Sequence, residues 1–212
     1  MLPGRGRNPE EDGVVWAVRD VSFDLPPGRI LGVLGRNGSG KSVLLRILAK
    51  VTKPTSGRSE LHGSVSSILH LGAMLDPELT GADNIHQIGT LLRLKRRTLE
   101  GCFEDIVAFA GIAPHLHSLV RGYSAGMQLR VAFAVLAHVE SDVLLIDEAL
   151  AVADEEFRIR CVARIRSMAD AGRTIVIASH DLEMLEALCD EALIVESGHL
   201  AAFGAAGSVV AE

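Results

Sequence analysis

The sequence GRNGSGKS, residues Gly35 to Ser42, decides the fold of this chain. It matches the pattern G-x-x-x-x-G-K-[ST], in which glycines let backbone N–H groups turn inward around phosphate oxygens. A short apolar run, Arg29–Leu34, precedes it, and a segment with apolar residues on one side, Ser42–Lys50, follows it. A strand, a tight turn and a helix in that order are the context that the pattern requires. We therefore predict a nucleotide-binding loop, in preference to a glycine-rich turn that matches by chance.

The residue types of this loop predict how a nucleotide is held. We expect Lys41 to bring its charge to the β- and γ-phosphates and Ser42 to offer its hydroxyl to Mg²⁺. The residues predicted to contact the nucleotide here are Gly35, Arg36, Asn37, Gly38, Ser39, Gly40, Lys41, Ser42 and Val43.

A second candidate element is VLLIDE, Val143–Glu148, a buried strand that ends in two carboxylates. Asp147 is predicted to hold Mg²⁺, directly or through water, and Glu148 to orient the attacking water as general base. A pair of acids can also simply cap the end of a strand. The phosphate loop in the same chain favours the catalytic interpretation.

A third element is IVIASHD, in which His180 follows a predicted strand. Histidines in this position are often structural. In parallel α/β sheets, however, ligands bind at the carboxyl ends of the strands, and His180 leaves the sheet at such an end. We therefore predict that His180 contacts the γ-phosphate.

The hydrophobic pattern predicts an α/β fold with a mostly parallel sheet, because short apolar runs alternate with helical segments. The middle of the chain, from Met74 to Val139, has apolar residues at helical spacing and is predicted to be an inserted helical part. The predicted strands, besides Arg29–Leu34, are Trp16–Leu25, Val65–Leu71, Val143–Ile146, Thr174–Ala178 and Ala192–Val195.

Composition excludes several classes of protein. The chain has 212 residues, an apolar fraction of 48% and a net charge of −6, which fits one globular domain and argues against a nucleic-acid-binding platform. Its three scattered cysteines do not form a disulfide framework, so we expect a reducing cytosol and small buried thiols. No apolar run reaches about 18 residues, so no direct membrane span is predicted.

The stretch YSAGM, Tyr123–Met127, resembles a turn that feeds a helix. The N-terminus of a helix leaves backbone N–H groups free and attracts an anion. Ser124 could equally be a simple helix cap, and both roles are compatible.

The order and spacing of four motifs resemble those of the ATPase domains of the ABC family. The motifs are GRNGSGKS, YSAGM, VLLIDE and the histidine of ASHD. The resemblance runs from about Trp16 to Gly204. It implies a P-loop NTPase fold of the ABC ATPase type, with a RecA-like core, a mostly parallel sheet, an antiparallel β part and an inserted helical subdomain. The implied boundaries are a flexible lead over residues 1–13 and an ATPase domain over 14–212, with the core at 14–73 and 140–212 and the helical subdomain at 74–139.

The resemblance also implies a dimer, with ATP and Mg²⁺ as cofactors. In this family two such domains pair head to tail, and the signature of each closes on the ATP that the other holds. Ser124, Ala125, Gly126 and Met127 stand at the signature position, Asp154 at the D-loop position, and Trp16 where an aromatic often stacks on adenine. For Trp16, plain packing of a strand is the alternative.

A narrower resemblance concerns the substrate. Three segments are similar to the ATPase subunits of bacterial polysaccharide exporters, which serve O-antigen, capsule, teichoic acid or galactan chains. These segments are SILHLGAMLDPELTGADNI, YSAGMQLRVAFAV and ALAVADEEFRIRC. The implied function is ATP hydrolysis that powers export of a lipid-linked polysaccharide through a separate membrane-spanning permease, at the cytoplasmic face of the membrane. The alternatives are a soluble ABC-type nucleotide switch without a permease, or an exporter ATPase for another substrate.

Two positions depart from the broad family pattern. His70 stands near the place where most members have a glutamine in the loop that joins the core to the helical insert, which puts the role of that loop in question. Met127 replaces the usual signature glutamine. A basic run at Arg93–Arg97 is interpreted as a solvated helix face, with contact to acidic groups or lipid headgroups as the alternative.

Overall fold

A six-stranded sheet lies at the centre of the computed structural model, which describes residues 16–68, 74–147 and 154–210. The strand order is β2-β3-β4-β1-β5-β6, and every pairing is parallel except that of β5 with β6. The strands are β1 (Ile30–Leu34), β2 (Val65–Ile68), β3 (Val143–Asp147), β4 (Thr174–Ala178), β5 (Glu191–Glu196) and β6 (His199–Ala205).

Helices follow the strands and cover both faces of the sheet. Short 3₁₀ turns at Ala113–His115 and Val120–Gly122 connect two of them. The helices are α1 (Lys41–Leu48), α2 (Gly81–Leu91), α3 (Arg96–Ala110), α4 (Ala125–Leu136), α5 (Glu155–Asp170), α6 (Leu182–Leu188) and α7 (Ala206–Val209).

The sheet separates two apolar cores because successive strand residues point to opposite faces. In β1, Leu31 and Val33 pack with Leu44 and Leu45 of α1 on one face. Ile30 and Leu34 point to the other face, toward the larger core that includes α4, α5 and α6. Strands covered on both sides read as continuous apolar runs, which is why the sequence pattern identified the central strands.

The predicted strands in the middle of the sheet are confirmed. Thr174–Ala178 is β4 with the predicted bounds, and the runs at residues 29–34, 143–146 and 192–195 are β1, β3 and β5 within one residue at each end. The strand predicted at Val65–Leu71 forms over Val65–Ile68, and its remaining residues lie outside the described ranges.

The strand predicted over Trp16–Leu25 is wrong. Among the described residues, this segment makes one isolated bridge, between Arg19 and His199, and no continuous ladder. Asp20 has a φ of 53°, which interrupts an extended course. The apolar alternation nevertheless has a packing role, because Val18, Val21, Phe23 and Leu25 lie against the core on the α1 face.

The antiparallel β part implied by the family resemblance is the β5–β6 pair, and β6 was not predicted. Its sequence, HLAAFGA, has one aromatic and no β-branched residue, so it lacks a strong strand pattern. The dipeptide Ser197-Gly198 between the strands is a turn signal that could have located the hairpin. Its residues have φ values of 49° and 83°, as a type I′ turn requires.

Helices α2, α3 and α4 form the part of the chain predicted to be helical, and they share the larger core with the sheet. Phe133 of α4 and Phe157 of α5 meet edge to face at 6.0 Å, and Phe109 of α3 lies 5.6 Å from Phe157. The helical insert and the sheet layer are therefore joined by continuous apolar packing. The chain boundaries of the subdomains remain a prediction.

Asn84 organises the beginning of α2. It is fully buried, accepts from the Asp76 N–H at 2.7 Å, and donates to the carbonyls of Asp76 (3.0 Å) and Thr80 (2.9 Å). Thr80 and Asp83 add a reciprocal capping box. The PELTGADNI stretch thus forms a rigid entry into the helical insert.

Two of the three thiols are buried as expected, Cys161 and Cys189, whereas Cys102 is only partly buried. Burial raises the pKa of the Cys161 thiol to about 12 and that of Cys189 to about 12 as well. Within the described ranges, no helix combines the length and the apolar character that crossing a bilayer needs.

Candidate functional site

The phosphate loop connects β1 to α1 and has a backbone that only glycine fits. Gly35 and Gly40 have φ values of 152° and 112°. A Cβ at Gly35 would collide with Ser39 Oγ and the carbonyl of Val195, and one at Gly40 would collide with the carbonyl of Ala17. The tip of the loop, residues 36–38, is exposed to solvent. Both ends of the loop are therefore closely packed, whereas its tip is open to solvent.

Helix α1 begins directly at Lys41, and its N-terminus is suited to an anion. Its cap residue is Gly40, no side chain in the described ranges caps the first turn, and no acidic residue lies in that turn. The first backbone N–H groups have no intrahelical acceptor, and the helix dipole places partial positive charge there. This end of α1 carries Ser42 and Val43, both half-buried.

Lys41 lies folded over the same loop. Its side chain is buried, and Nζ donates to the carbonyl oxygens of Gly35 (2.6 Å) and Arg36 (3.1 Å). The ammonium group is therefore already at the mouth of the loop, where the predicted β- and γ-phosphate contacts require it.

Asp147 and His180 reach the site from the two neighbouring strands. In the parallel register Ala178 of β4 pairs with Val33 on one side and with Asp147 on the other. Adjacent strands are about 4.8 Å apart, so Asp147 is about 10 Å, two strand spacings, from the end of β1. His180 is exposed two residues beyond Ala178. The structure thus brings the phosphate loop, Asp147 and His180 to one edge of the sheet.

Asp147 fits a Mg²⁺ ligand. Val143 and Leu145 pack on the α1 face, and the two-residue alternation of β3 places the Asp147 side chain on that face as well. Asp147 is buried, and its Oδ1 has no hydrogen-bond partner among the described residues. A buried carboxylate oxygen without a partner on the side of Ser42 matches the oxygen ligands that Mg²⁺ prefers.

A turn from the far end of the chain supports the loop. The N–H of Gly198 donates to the carbonyl of Ser39 at 2.9 Å, and the carbonyl of Gly198 accepts from the N–H of Arg19 at 2.6 Å. The β5–β6 turn therefore joins the phosphate loop to the segment that begins at Trp16. The Ser-Gly dipeptide signals a turn, but nothing in the local sequence links Gly198 to the phosphate loop.

Trp16 lies beside this junction. Its carbonyl, with that of Ala17, faces Gly198, and its half-buried ring is covered by the Arg19 guanidinium at 5.5 Å. The indole Nε1 has no partner in the described part of the chain. The position is compatible with the predicted adenine contact, which stays a prediction.

The signature residues stand at the beginning of α4. Ser124 is the N-cap, and its Oγ accepts from the Met127 N–H at 3.2 Å. The capping role of Ser124 is therefore present, and an anion contact remains a prediction. A pocket of about 290 Å³ opens here, lined by Gly111, Ile112, His115, Ser124, Gly126, Met127, Arg130 and Asp154.

Asp154 closes this pocket from the α5 side. Its Oδ1 caps α5 by accepting from the Phe157 N–H at 3.0 Å, and its Oδ2 forms an ion pair with Arg130 of α4. The hydrogen bond from Arg130 lowers the pKa of Asp154 below its usual value. Arg130 also lies over the Phe157 ring at 5.3 Å. No motif in the sequence indicated Arg130, which lies on α4 six residues after its N-cap, Ser124.

Two predicted positions are outside the described residues. These are Glu148, the predicted general base, and His70, at the junction with the helical insert. Of the predicted basic run, Arg93, Lys95, Arg96 and Arg97 are exposed, and Arg96 pairs with Glu100 at 2.7 Å. The run is therefore solvent-exposed, as expected, but only Arg96 and Arg97 lie on a helix, because Arg93 and Lys95 belong to the connection between α2 and α3.

Comparison with known proteins finds a matching family model and several relatives. A family model described as "ABC transporter" matches residues 18–151. The chain is 39% identical to the O-antigen export system ATP-binding protein RfbB of Klebsiella pneumoniae, over 92% of this chain and 79% of that protein. It is 37% identical to the protein of the same name from Myxococcus xanthus, over 98% of this chain and 48% of that protein.

Other relatives extend the comparison. The teichoic acids export ATP-binding protein TagH of Levilactobacillus brevis is 39% identical, over 92% of this chain and 54% of that protein. The chain thus spans about half the length of several curated relatives that it matches.

Solved structures agree on the fold. A dimeric post-hydrolysis structure of the ATP-binding cassette MJ0796 bound to ADP and Pi matches with a TM-score of 0.80 at 18% identity, over 96% of this chain and 94% of the other. An ATP-binding subunit of an ABC transporter matches with a TM-score of 0.81 at 21% identity, over 91% and 85% of the two chains. The ABC ATPase fold expected from the motifs is confirmed.

Proposed function

The chain belongs to the ABC transporter family, and from that premise we propose that it is the ATP-hydrolysing subunit of an exporter for a lipid-linked polysaccharide. The observation that carries the ATPase activity is the meeting of the phosphate loop, Asp147 and His180 at one edge of the sheet. The substrate class is supported by the names of the relatives, which export O-antigen or teichoic acids.

In the proposed reaction this chain's own residues bind and orient the triphosphate. The backbone N–H groups of the loop and of the first turn of α1 donate to phosphate oxygens, and Lys41 supplies positive charge. Ser42 and Asp147 would hold Mg²⁺, which neutralises charge on the β- and γ-phosphate oxygens when bound. Glu148 accepts a proton from the attacking water, and His180 stabilises charge on the departing γ-phosphate.

The active unit in this proposal is a pair of ATPase subunits arranged head to tail, most simply two copies of this chain. Ser124 and the Gly126 backbone of one subunit close on the γ-phosphate held by the other. The capped, exposed beginning of α4 supports this, because its free N–H groups suit an anion. ATP favours the closed pair and hydrolysis reopens it, and this two-state change moves the permease. The location would be peripheral, on the cytoplasmic side, through that permease.

ATP hydrolysis is tested with Glu148→Gln. We expect the variant to bind ATP with little change in affinity and to turn over at least about 100-fold more slowly, because the general base is lost. Phosphate release and nucleotide binding are measured side by side. Turnover at the wild-type rate would show that Glu148 is not the base.

The transport role is tested by capture of the partner. Tagged Glu148→Gln protein is bound to membranes with ATP and Mg²⁺, solubilised in mild detergent and purified. We expect a polytopic permease to be retained with ATP. If the captured permease transports another substrate, the polysaccharide assignment is wrong. Recovery of ribosomes or DNA-repair proteins alone would support a soluble nucleotide switch.

A further inference from the structure

His180 stands at the apex of a turn that is tied on both sides. Ser179, before it, is buried, and its N–H donates to the carbonyl of Val33 at 3.2 Å. The N–H of Asp181, after it, donates to Ser179 Oγ at 3.0 Å. Such a short side-chain-to-backbone bond closes the turn around the residue between its ends. The backbone that carries the His180 side chain is therefore tied to the position of Asp181.

Asp181 divides its two carboxylate oxygens between two partners. Oδ1 caps α6 by accepting from the Met184 N–H at 3.0 Å. Oδ2 accepts from Nη1 of Arg158 at 3.3 Å. Because α6 has only seven residues, it contributes little rigidity of its own, and its first turn depends on this cap and on packing.

Arg158 lies on α5 and binds a second carboxylate with the rest of its guanidinium group. Nε donates to Glu155 Oε2 at 3.0 Å and Nη2 to Glu155 Oε1 at 3.1 Å. Glu155 is the first residue of α5, directly after Asp154. One arginine thus connects the first turn of α5 with the cap of α6. The two segments are separated in the chain by β4 and meet only through the fold.

We propose that Arg158 is a positioning residue for His180, and that it sets the place of His180 relative to the beginning of α5 during ATP hydrolysis. The inference rests on the proposed ATPase function. Arg158 does not touch the reacting atoms in this proposal. It acts through Asp181 and the Ser179–Asp181 turn, and its guanidinium shape is needed because two carboxylates must be bound in different directions.

The contact between Arg158 and Asp181 should affect the rate of hydrolysis much more than the stability of the fold. The Arg158 side chain is 32% exposed and that of Asp181 is 39% exposed, so solvent reaches their ion pair and reduces its contribution to stability. Loss of the pair should hardly change the unfolding temperature. A small displacement of a catalytic group, in contrast, has a large effect on rate.

The test uses the full chain with ATP and Mg²⁺ and the variants Arg158→Gln and Arg158→Lys. Arg166→Gln is the matched control, since Arg166 lies on the same helix, pairs with Asp170 and Asp190, and contacts the other end of α6 through the carbonyl of Leu188. We expect Arg158→Gln to lower kcat about tenfold, with KM for ATP changed less than about twofold and Tm less than about 2 °C. Arg158→Lys should recover only part of the rate, and Arg166→Gln should keep it.

A double-mutant cycle with His180→Ala identifies the route of the effect. If Arg158 acts through His180, Arg158→Gln will cause no further loss of kcat in the His180→Ala background. The same tenfold loss in both backgrounds, or an unchanged kcat in the single variant, would overturn the inference.

A readout without turnover separates this inference from the ATPase proposal. The ¹H–¹³C resonance of the His180 ring, assigned by its absence in His180→Ala, should shift in Arg158→Gln and not in Arg166→Gln. A wild-type chain with no ATP turnover would refute the proposed function while leaving this result interpretable. An unshifted His180 resonance in Arg158→Gln would refute the positioning role whatever the activity.

Discussion

At the scale of single residues, the phosphate loop depends on two positions where a methyl group has no room. Gly40 has a φ of 112°, and a Cβ added there would lie too close to the carbonyl oxygen of Ala17. Backbone is harder to displace than the end of a flexible side chain. The loop and the segment around Trp16 would have to separate to admit any other residue.

We therefore expect Gly40→Ala to abolish measurable ATP binding and to reduce the free energy of unfolding by more than about 1 kcal/mol, from left-handed strain and the collision together. Binding is measured by titration calorimetry and stability by urea unfolding. Gly101→Ala is the control: Gly101 is exposed in α3 with open space around it, and alanine there should stabilise by about 0.5–1 kcal/mol. Normal ATP affinity in Gly40→Ala would contradict the steric argument.

The ion pair of Asp154 with Arg130 should make the stability of the fold depend on pH. Arg130 lowers the pKa of Asp154 in the folded chain, so the ionised carboxylate stabilises the fold. That contribution is complete above the unfolded value of 3.8 and is lost as pH falls through the lower folded pKa. Asp154→Asn keeps a capping oxygen and loses the charge.

We expect Asp154→Asn to be less stable than wild type at pH 7 and the difference to shrink as the pH falls below about 4, measured by urea unfolding at a series of pH values. Asp105→Asn, at an exposed carboxylate of α3, serves as control and should show a smaller difference. A constant gap between Asp154→Asn and wild type across the series would show that the ion pair does not carry the effect.

At the scale of elements, the beginning of α4 combines a cap with a predicted anion contact. The two roles make different demands on Ser124, because a cap needs an acceptor oxygen whereas a phosphate is repelled by a negative charge. Aspartate is as good a cap as serine and also favours the helix dipole.

In the Glu148→Gln background, Ser124→Asp should keep the unfolding free energy and lose ATP-dependent dimerisation, followed by light scattering. Ser124→Ala should lose about 1 kcal/mol of stability with the cap. Dimerisation that survives in Ser124→Asp would leave Ser124 as a cap without a phosphate contact.

The same scale shows which elements sequence could identify. β4 was predicted with correct bounds because a strand covered on both faces is apolar throughout and is bounded by polar residues. Trp16–Leu25 has the alternation of a strand, yet Asp20 turns the chain and the segment packs on the sheet without a ladder. β6 is a half-exposed edge strand of mostly small residues, whose pairing is decided by the turn before it and not by its own pattern.

For the whole molecule, the larger apolar core runs from the sheet into the helical insert through Phe109, Phe133 and Phe157. The two parts should therefore unfold together. Trp16, the one tryptophan of the chain, lies near the phosphate loop and reports on that side of the molecule.

We expect Phe133→Ala to lower the free energy of unfolding by about 3–5 kcal/mol. The unfolding transitions followed by Trp16 fluorescence and by far-UV circular dichroism should shift equally. Leu91→Ala, at an exposed leucine of α2, should cost less than about 1 kcal/mol. Two separate transitions would show that the helical insert unfolds on its own.

The site, too, was predictable only in part. The loop, Asp147 and His180 could be grouped from sequence because parallel strands end at a common edge. The contacts of Arg130, Arg158 and Gly198 could not, since each residue pairs with a partner on another element. Such pairings follow from how helices and turns meet, which no local spacing records.

The β5–β6 turn has a consequence for how this chain tolerates change. Tight two-residue turns at a sheet edge are ordinarily places where natural variation and engineered insertions accumulate. Here the N–H of Gly198 in the turn donates to the carbonyl of Ser39 in the phosphate loop. A tag or peptide inserted at this turn should therefore disrupt the protein as strongly as one inserted in the phosphate loop. Insertional scanning should find both stretches intolerant of insertion, although they are distant in the sequence.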